Sequence, residues 1–212
     1  MKIAVLGAGS VGGTLGRRFA SVGHDVCFGV PSPDDAKYRQ LVASIGGTAS
    51  AATVTDAARD AGVVVIATPW DATRAALEAA GDVSGKVVVD CTNPLAMGPD
   101  GLALAVGFDS SGAEQVAGWA AGASVVKCFN QTGYANMAEP VYGGVRSAMF
   151  VCGDDAAARE TARALAEEIG FDAIDAGPLR IARLLEPLAM LWIHLAFTTP
   201  LERDFALAVL RR

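Results

Sequence analysis

The chain has 212 residues, of which 52% are hydrophobic and 19% charged, and its formal net charge is −6. That composition buries a substantial core and excludes a disordered chain. The acidic balance, with no Lys/Arg cluster, excludes nucleic acid and an anionic membrane surface as expected partners.

Met1-Lys2 runs straight into an apolar stretch at residues 3–6, so no secretory leader is expected and the setting is read as cytoplasmic. The stretch breaks at Gly7-Ala8-Gly9-Ser10-Val11-Gly12, and a helix-compatible segment at 14–20 follows. Strand, Gly-x-Gly-x-x-Gly and helix in that order point to a dinucleotide turn. Gly7 permits the turn, Gly9 lets a pyrophosphate approach the backbone, and Gly12 lets the helix pack close to the strand. The free N–H groups at the helix start attract phosphate.

Further strands are expected at 26–29, 63–67, 87–91, 125–129, 148–152 and 172–175, many of them continuous Val/Ile/Ala runs. Such runs belong to parallel strands covered on both faces. Helices are expected at 34–45, 70–80, 154–169 and 179–196, the third opened by Asp154-Asp155 and stopped by Gly170. Alternating β and α units predict an α/β fold: a Rossmann-type doubly wound parallel sheet with extra C-terminal strands and a terminal helix. No linker or composition break divides the chain, so residues 1–212 read as one NAD(P)-binding domain that includes a helical segment at 178–212. The most apolar stretch, 188–197, is too short for a bilayer. The last helix becomes apolar all round, so it needs a cover, at the sheet's ligand edge or in a dimer interface.

The second strand ends at Val30, where an NAD enzyme places a carboxylate for the ribose 2′-hydroxyl, and Asp25 lies at the wrong end to serve. Pro31 follows, leaving Ser32 and Lys37 as the nearby groups able to contact a 2′-phosphate. The balance favours NADP, with NAD open. Three later strands end in polar loops that should share one sheet edge: Thr68-Pro69-Trp70, Thr92-Asn93-Pro94, and Asn130-Gln131-Thr132. Trp70 is placed to flank a ring, and Asn93 offers a donor and an acceptor to a carboxamide. Each has a plainer reading: Trp70 as a core residue, Asn93 as a turn residue, Asn130 as a helix cap. His24 reads as structural. His194 reads as a buried core histidine, with a proton donor beside the acceptor as the other reading. Cys27, Cys91, Cys128 and Cys152 have no CxxC spacing, so no metal site is expected, and they read as small buried residues in a reducing compartment.

Taken together, Gly7 to Gly12, Gly23-His24-Asp25-Val26, Asp90-x-Thr92-Asn93-Pro94-Leu95, Lys127-x-Phe129-Asn130, Met149-Phe150-Val151-x-Gly153-Asp154-Asp155 and Asp175-Ala176-Gly177-Pro178-Leu179-Arg180 through Leu185-Glu186-Pro187-Leu188-Ala189 resemble the NADPH-dependent deazaflavin reductase-like family, the 8-hydroxy-5-deazaflavin:NADPH oxidoreductases. The resemblance covers nearly the whole chain. It implies NADP at residues 7–12, a homodimer, and a deazaflavin coenzyme as co-substrate, stacked on the nicotinamide near Asn93 and the final helix. Similar members carry Arg where this chain has Pro31. The implied chemistry is hydride transfer to the deazaflavin, which asks the protein mainly for ring placement. Lys127 looks structural in this setting. Two other readings stand beside it: a small NADPH-dependent reductase acting on a ketone, imine, flavin or ferric acceptor, and a non-catalytic dinucleotide sensor.

Overall fold

The computed structural model describes residues 1–99 and 101–212. Its central sheet has eight strands: β1 (Lys2–Leu6), β2 (Asp25–Gly29), β3 (Ala49–Ala52), β4 (Val63–Ile66), β5 (Val87–Asp90), β8 (Ser124–Lys127), β11 (Ala148–Gly153) and β12 (Asp172–Gly177). They lie in the order β12-β11-β8-β5-β4-β1-β2-β3. The six strands from β3 to β8 are parallel. β11 runs antiparallel to β8, and β12 parallel to β11. This is the Rossmann order with added C-terminal strands. The chain reverses direction across the sheet between β1 and β4, and a crevice opens there at the strands' carboxyl ends.

Helices α1 (Ser10–Ser21), α2 (Ala36–Ile45), α3 (Val54–Arg59), α4 (Trp70–Ala80), α5 (Gly112–Trp119), α6 (Tyr134–Ala138) and α7 (Ala156–Glu168) cover both faces, with α8 (Ala182–Thr198) at the end of the chain. One apolar cluster, including Leu15, Phe19, Phe28, Phe129 and Phe171, fills one side of the sheet. Another, including Leu6, Ile66, Leu77, Val116 and Leu185, fills the other. The central β4, Val-Val-Val-Ile, is buried along its whole length, as a strand with helices on both faces must be.

Some boundaries move. The helix expected at 34–45 starts at Ala36, because Asp34 lies in the turn before it. Asp155 caps α7 by accepting from the Ala158 N–H at 2.8 Å, so that helix starts after the acidic pair. A 3-10 turn, Leu179–Ile181, precedes α8, and the two form an apolar helical stretch of 20 residues with mean hydropathy 1.3. This corrects the shorter 188–197 estimate: the helix continues through Pro187, and by length and composition it equals a bilayer span. Ala182, Leu185, Ala189 and Trp192 turn inward against the protein, and Glu186 is buried with them. Two hairpins, β6–β7 (Leu95–Gly98 with Gly101–Leu104) and β9–β10 (Val141–Tyr142 with Val145–Arg146), stand outside the main sheet.

Candidate dinucleotide and acceptor site

Gly9 is the N-cap of α1 and has φ −76°, a value open to any residue. A Cβ built on Gly9 meets nothing within 4 Å. Neither backbone conformation nor packing within the chain therefore requires glycine there. No side chain caps α1, so the N–H groups of its first turn face the same space. Gly7 and Gly12 differ. Gly7 has φ +94° and its absent Cβ would lie 2.8 Å from the Ala67 carbonyl oxygen, while a Cβ on Gly12 would overlap the Gly7 carbonyl oxygen. These two glycines hold β1, β4 and α1 together, whereas no protein atom packs against Gly9.

Three cavities meet at this corner. The first, about 350 Å³ and almost wholly apolar, is lined by Gly7, Ala8, Val30, Pro31, Tyr38, Thr68 and neighbouring alanines. It fits an adenine. Val30 is buried in the core, so β2 ends with no carboxylate for a ribose. Ser32 and Lys37 are exposed and do not line this cavity, though each is next in sequence to a lining residue, Pro31 or Tyr38, and the Lys37 ammonium lies 4.6 Å from the Tyr38 ring centroid. The second, about 610 Å³, runs between Val11, Thr68, Pro69, Trp70, Asp71, Thr92 and Asn93. The third, about 260 Å³, is bounded by Val11, Asn93, Asn130, Thr132, Tyr134 and Trp192, with Phe197 and Arg203 at its end. Thr68 is common to the first two, and Val11 and Asn93 to the last two, so the three form one groove. Its residues fit NADP: apolar pocket, orphan main-chain donors, then a wide slot.

Asn93 and Asn130 form the floor between slot and cleft. Asn93 Nδ2 donates to the Asn130 carbonyl at 2.9 Å, and Asn130 Nδ2 donates to Asn93 Oδ1 at 3.0 Å and to the Leu185 carbonyl at 3.2 Å. Gln131 Nε2 donates to Asn130 Oδ1 at 2.8 Å. Asn130 is thus a tie between two strand ends and α8 rather than a helix cap. Phe129, just before it, is held at φ +63° in the left-handed region, unusual for a bulky residue. Edge-on and tilted contacts to Phe19 and Phe171 hold its ring while the chain turns there. Trp70 serves both roles considered for it: it starts α4, packs on Trp119 at 5.4 Å, and borders the slot.

Beneath this floor lies a buried charge cluster. Lys127, at the end of β8, donates to Asp90 Oδ2 at 2.8 Å and to the Thr92 carbonyl at 2.7 Å, and pairs with Glu186 Oε1 at 2.8 Å. All three charged side chains are shut off from solvent. Glu186 accepts from the Gly112 and Ala113 N–H groups at the start of α5, whose positive end offsets the excess negative charge. Burial pushes the Lys127 ammonium toward deprotonation, but Asp90 and Glu186 outweigh this and hold its pKa above the usual lysine value. Lys127 is therefore held as a cation by Asp90 and Glu186 and ties down the Thr92–Asn93 turn.

Other expected residues fall elsewhere. Pro94 is buried behind Asn93, where an added Cβ on Gly112 would touch it at 3.2 Å, so it borders none of these cavities. His194 is exposed, not a buried core histidine, and it is not among the residues lining the cleft. It occupies the outward side of α8, while Trp192, Ile193 and Phe197 face the cleft. His24 is structural: buried, with Nε2 2.7 Å from Glu168 Oε2 and Nδ1 3.2 Å from the Met1 amino group. Cys91, Cys128 and Cys152 are buried and unpaired, while Cys27 is only partly covered. Burial pushes the Cys91 and Cys128 thiols well up, and Cys152 up to about 12, so none is a nucleophile at neutral pH. Among the described residues no cluster of three metal-ligating side chains occurs. The groove residues that sequence reasoning missed, Tyr38, Tyr134, Trp192 and Arg203, lie in helices or the C-terminal tail and carry no motif, whereas Thr132 belongs to the polar loop expected at this edge.

Sheet order and groove define a protein of the Rossmann dinucleotide-binding class. Residues 2–94 match the family described as NADP oxidoreductase, coenzyme F420-dependent. A solved structure from Arthrobacter sp. FB24, provisionally named an F420-dependent NADP reductase, is 34% identical with TM-score 0.89, covering 100% of both chains. The chain belongs to this family. The SMa0349 protein of Sinorhizobium meliloti is 26% identical, with TM-score 0.79 over 100% of this chain and 96% of its own. The rat metalloreductase STEAP3 is 26% identical over 190 residues, 89% of this chain and 36% of its own length. The chain thus spans about a third of that curated relative.

Proposed function

We propose that the protein transfers a hydride between NADPH and a deazaflavin-like acceptor. The observation that carries this reading is the continuity of the groove: Val11 and Asn93 border both the slot beside the glycine turn and the aromatic-walled cleft beyond. Bound NADPH supplies the hydride at its nicotinamide C4. The chain's part is placement. The α1 N–H groups and Gly9 anchor the diphosphate, Lys37 and Ser32 meet the 2′-phosphate, and Thr68, Pro69 and Trp70 border the nicotinamide. The Asn93–Asn130 tie fixes the floor where two flat rings meet. Among the described residues, the cleft lining includes no Asp, Glu or His. A ketone or imine needs a proton at its heteroatom as the hydride arrives, and this lining offers only the Tyr134 and Thr132 hydroxyls. A conjugated ring that takes its proton from water at the open rim fits better.

Anaerobic mixing with NADPH and a panel of a deazaflavin, FMN and simple carbonyls tests the reading at the nicotinamide absorbance band. Loss of that band with the deazaflavin alone, or fastest with it, is the expected result. Turnover of carbonyls only, or of nothing, contradicts it.

The reading includes a homodimer in a reducing, cytoplasmic setting. The outward side of α8 exposes Leu184 and Leu191 at 65% and 53%, and Phe108 is 98% exposed. A second copy is the proposed cover. Sedimentation equilibrium should give twice the chain mass, and a monomer at micromolar concentration ends this part.

A further inference from the structure

The acceptor cleft has a single charged side chain among its described lining residues, Arg203, and its origin is unusual. After α8 the chain doubles back. Glu202 adopts φ +51°, and the tail lies against the α6–α8 groove. Phe205 stacks on Trp192 at 5.3 Å with planes 19° apart, and its carbonyl accepts from Trp192 Nε1 at 3.1 Å and Asn136 Nδ2 at 2.7 Å. The Ala148 N–H donates to the Leu207 carbonyl at 2.8 Å. These bonds fix the backbone just after Arg203, and the Glu202 N–H donating to the Thr199 carbonyl at 3.2 Å fixes it just before. Arg203 lies over the Phe197 ring, 4.5 Å from its centroid. Asp204, next in sequence, faces the other way and accepts from the Tyr142 hydroxyl at 3.3 Å. No carboxylate lies within 4 Å of the guanidinium among the described residues. A guanidinium braced on an aromatic face keeps its donor edge for the paired oxygens of a carboxylate or phosphate.

We propose that Arg203 is a specificity-determining residue that selects acceptors carrying an anionic group, a phosphate or carboxylate, on a substituent of the aromatic ring. The ring lies between Trp192, Tyr134 and the Asn93–Asn130 floor, and the anion reaches the cleft's end at Arg203. The assignment rests on the acceptor reading of this cleft but not on turnover.

Two probes with the same ring, 5-deaza-FMN and 5-deazariboflavin, differ in the phosphate. Their dissociation constants are measured by Trp fluorescence on the NADP⁺-loaded protein, alongside hydride transfer from NADPH. The wild type should bind the phosphorylated probe about tenfold more tightly, the scale of one partly exposed charge-assisted contact. Arg203→Gln should bring the ratio to about one, and Arg203→Lys should restore part of it. A wild-type ratio near one, a ratio that survives Arg203→Gln, or no binding of either probe overturns the assignment, even if both rings are reduced. A ratio that depends on Arg203 without hydride transfer upholds the assignment and removes the proposed reaction instead.

Discussion

Gly9→Val abolishes dinucleotide binding while leaving the fold intact. The backbone at Gly9 suits any residue, and a Cβ there meets no protein atom. A valine costs the apo protein nothing measurable in packing, yet its methyl groups fill the space in front of the α1 N–H groups. The expected result by calorimetry is a loss of at least ~100-fold in NADPH affinity, because main-chain contacts to the pyrophosphate give way to a steric block. Melting temperature should stay within about 2 °C of wild type. Gly12→Ala is the contrast: its Cβ overlaps the Gly7 carbonyl, so it should lower the melting temperature as well as affinity. Equal behaviour of the two variants would mean that Gly9 is a structural glycine and the groove begins elsewhere.

Lys127→Met is expected to cost about 3–5 kcal/mol, the usual penalty for removing one partner of a buried ionic cluster. Asp90 and Glu186 would then face the interior without their cation, and the Thr92 carbonyl would lose its donor. For a domain of this size that is a fall of roughly 6–20 °C in melting temperature. The sign with pH follows from the raised lysine value. The contribution is fully present below the free lysine's pKa, and it fades as pH rises through the higher folded one. Wild type should therefore lose stability in strong alkali by a component missing from the variant. A Lys127→Met protein that melts within about 2 °C of wild type would show that the cluster is held by something other than this cation.

The sheet was legible because its strands carry their burial in their composition. β4, β5 and β8 are continuous Val runs, and the glycine turn fixes which end binds. β3 was not: Ala49-Ser50-Ala51-Ala52 sits at the sheet edge, half-buried, with no large apolar residue to announce it. The short α3, α5 and α6, and the hairpins, escaped because two to eight residues are too few to show a helical or strand period. The candidate site was legible at the strand ends, where Thr68 and Asn93 border one cavity and Asn93 and Asn130 the next. Its other half was hidden. Lys127 finds Asp90 across 37 residues, and Arg203 reaches the cleft only because the tail folds back on Trp192. Composition also misled at the last helix. Uniform apolarity suggested that His194 was buried, but α8 lies at the surface and shows it to solvent.

The most direct measurement is a crystal structure of the protein with NADP⁺ and the deazaflavin. The account predicts diphosphate oxygens within hydrogen-bonding distance of the first N–H groups of α1, the nicotinamide between Pro69 and Asn93, and the second ring against Trp192. Nucleotide seated at the opposite end of the sheet, in the cleft of Lys2, Asp25 and Asp60, with the glycine corner vacant, would contradict it.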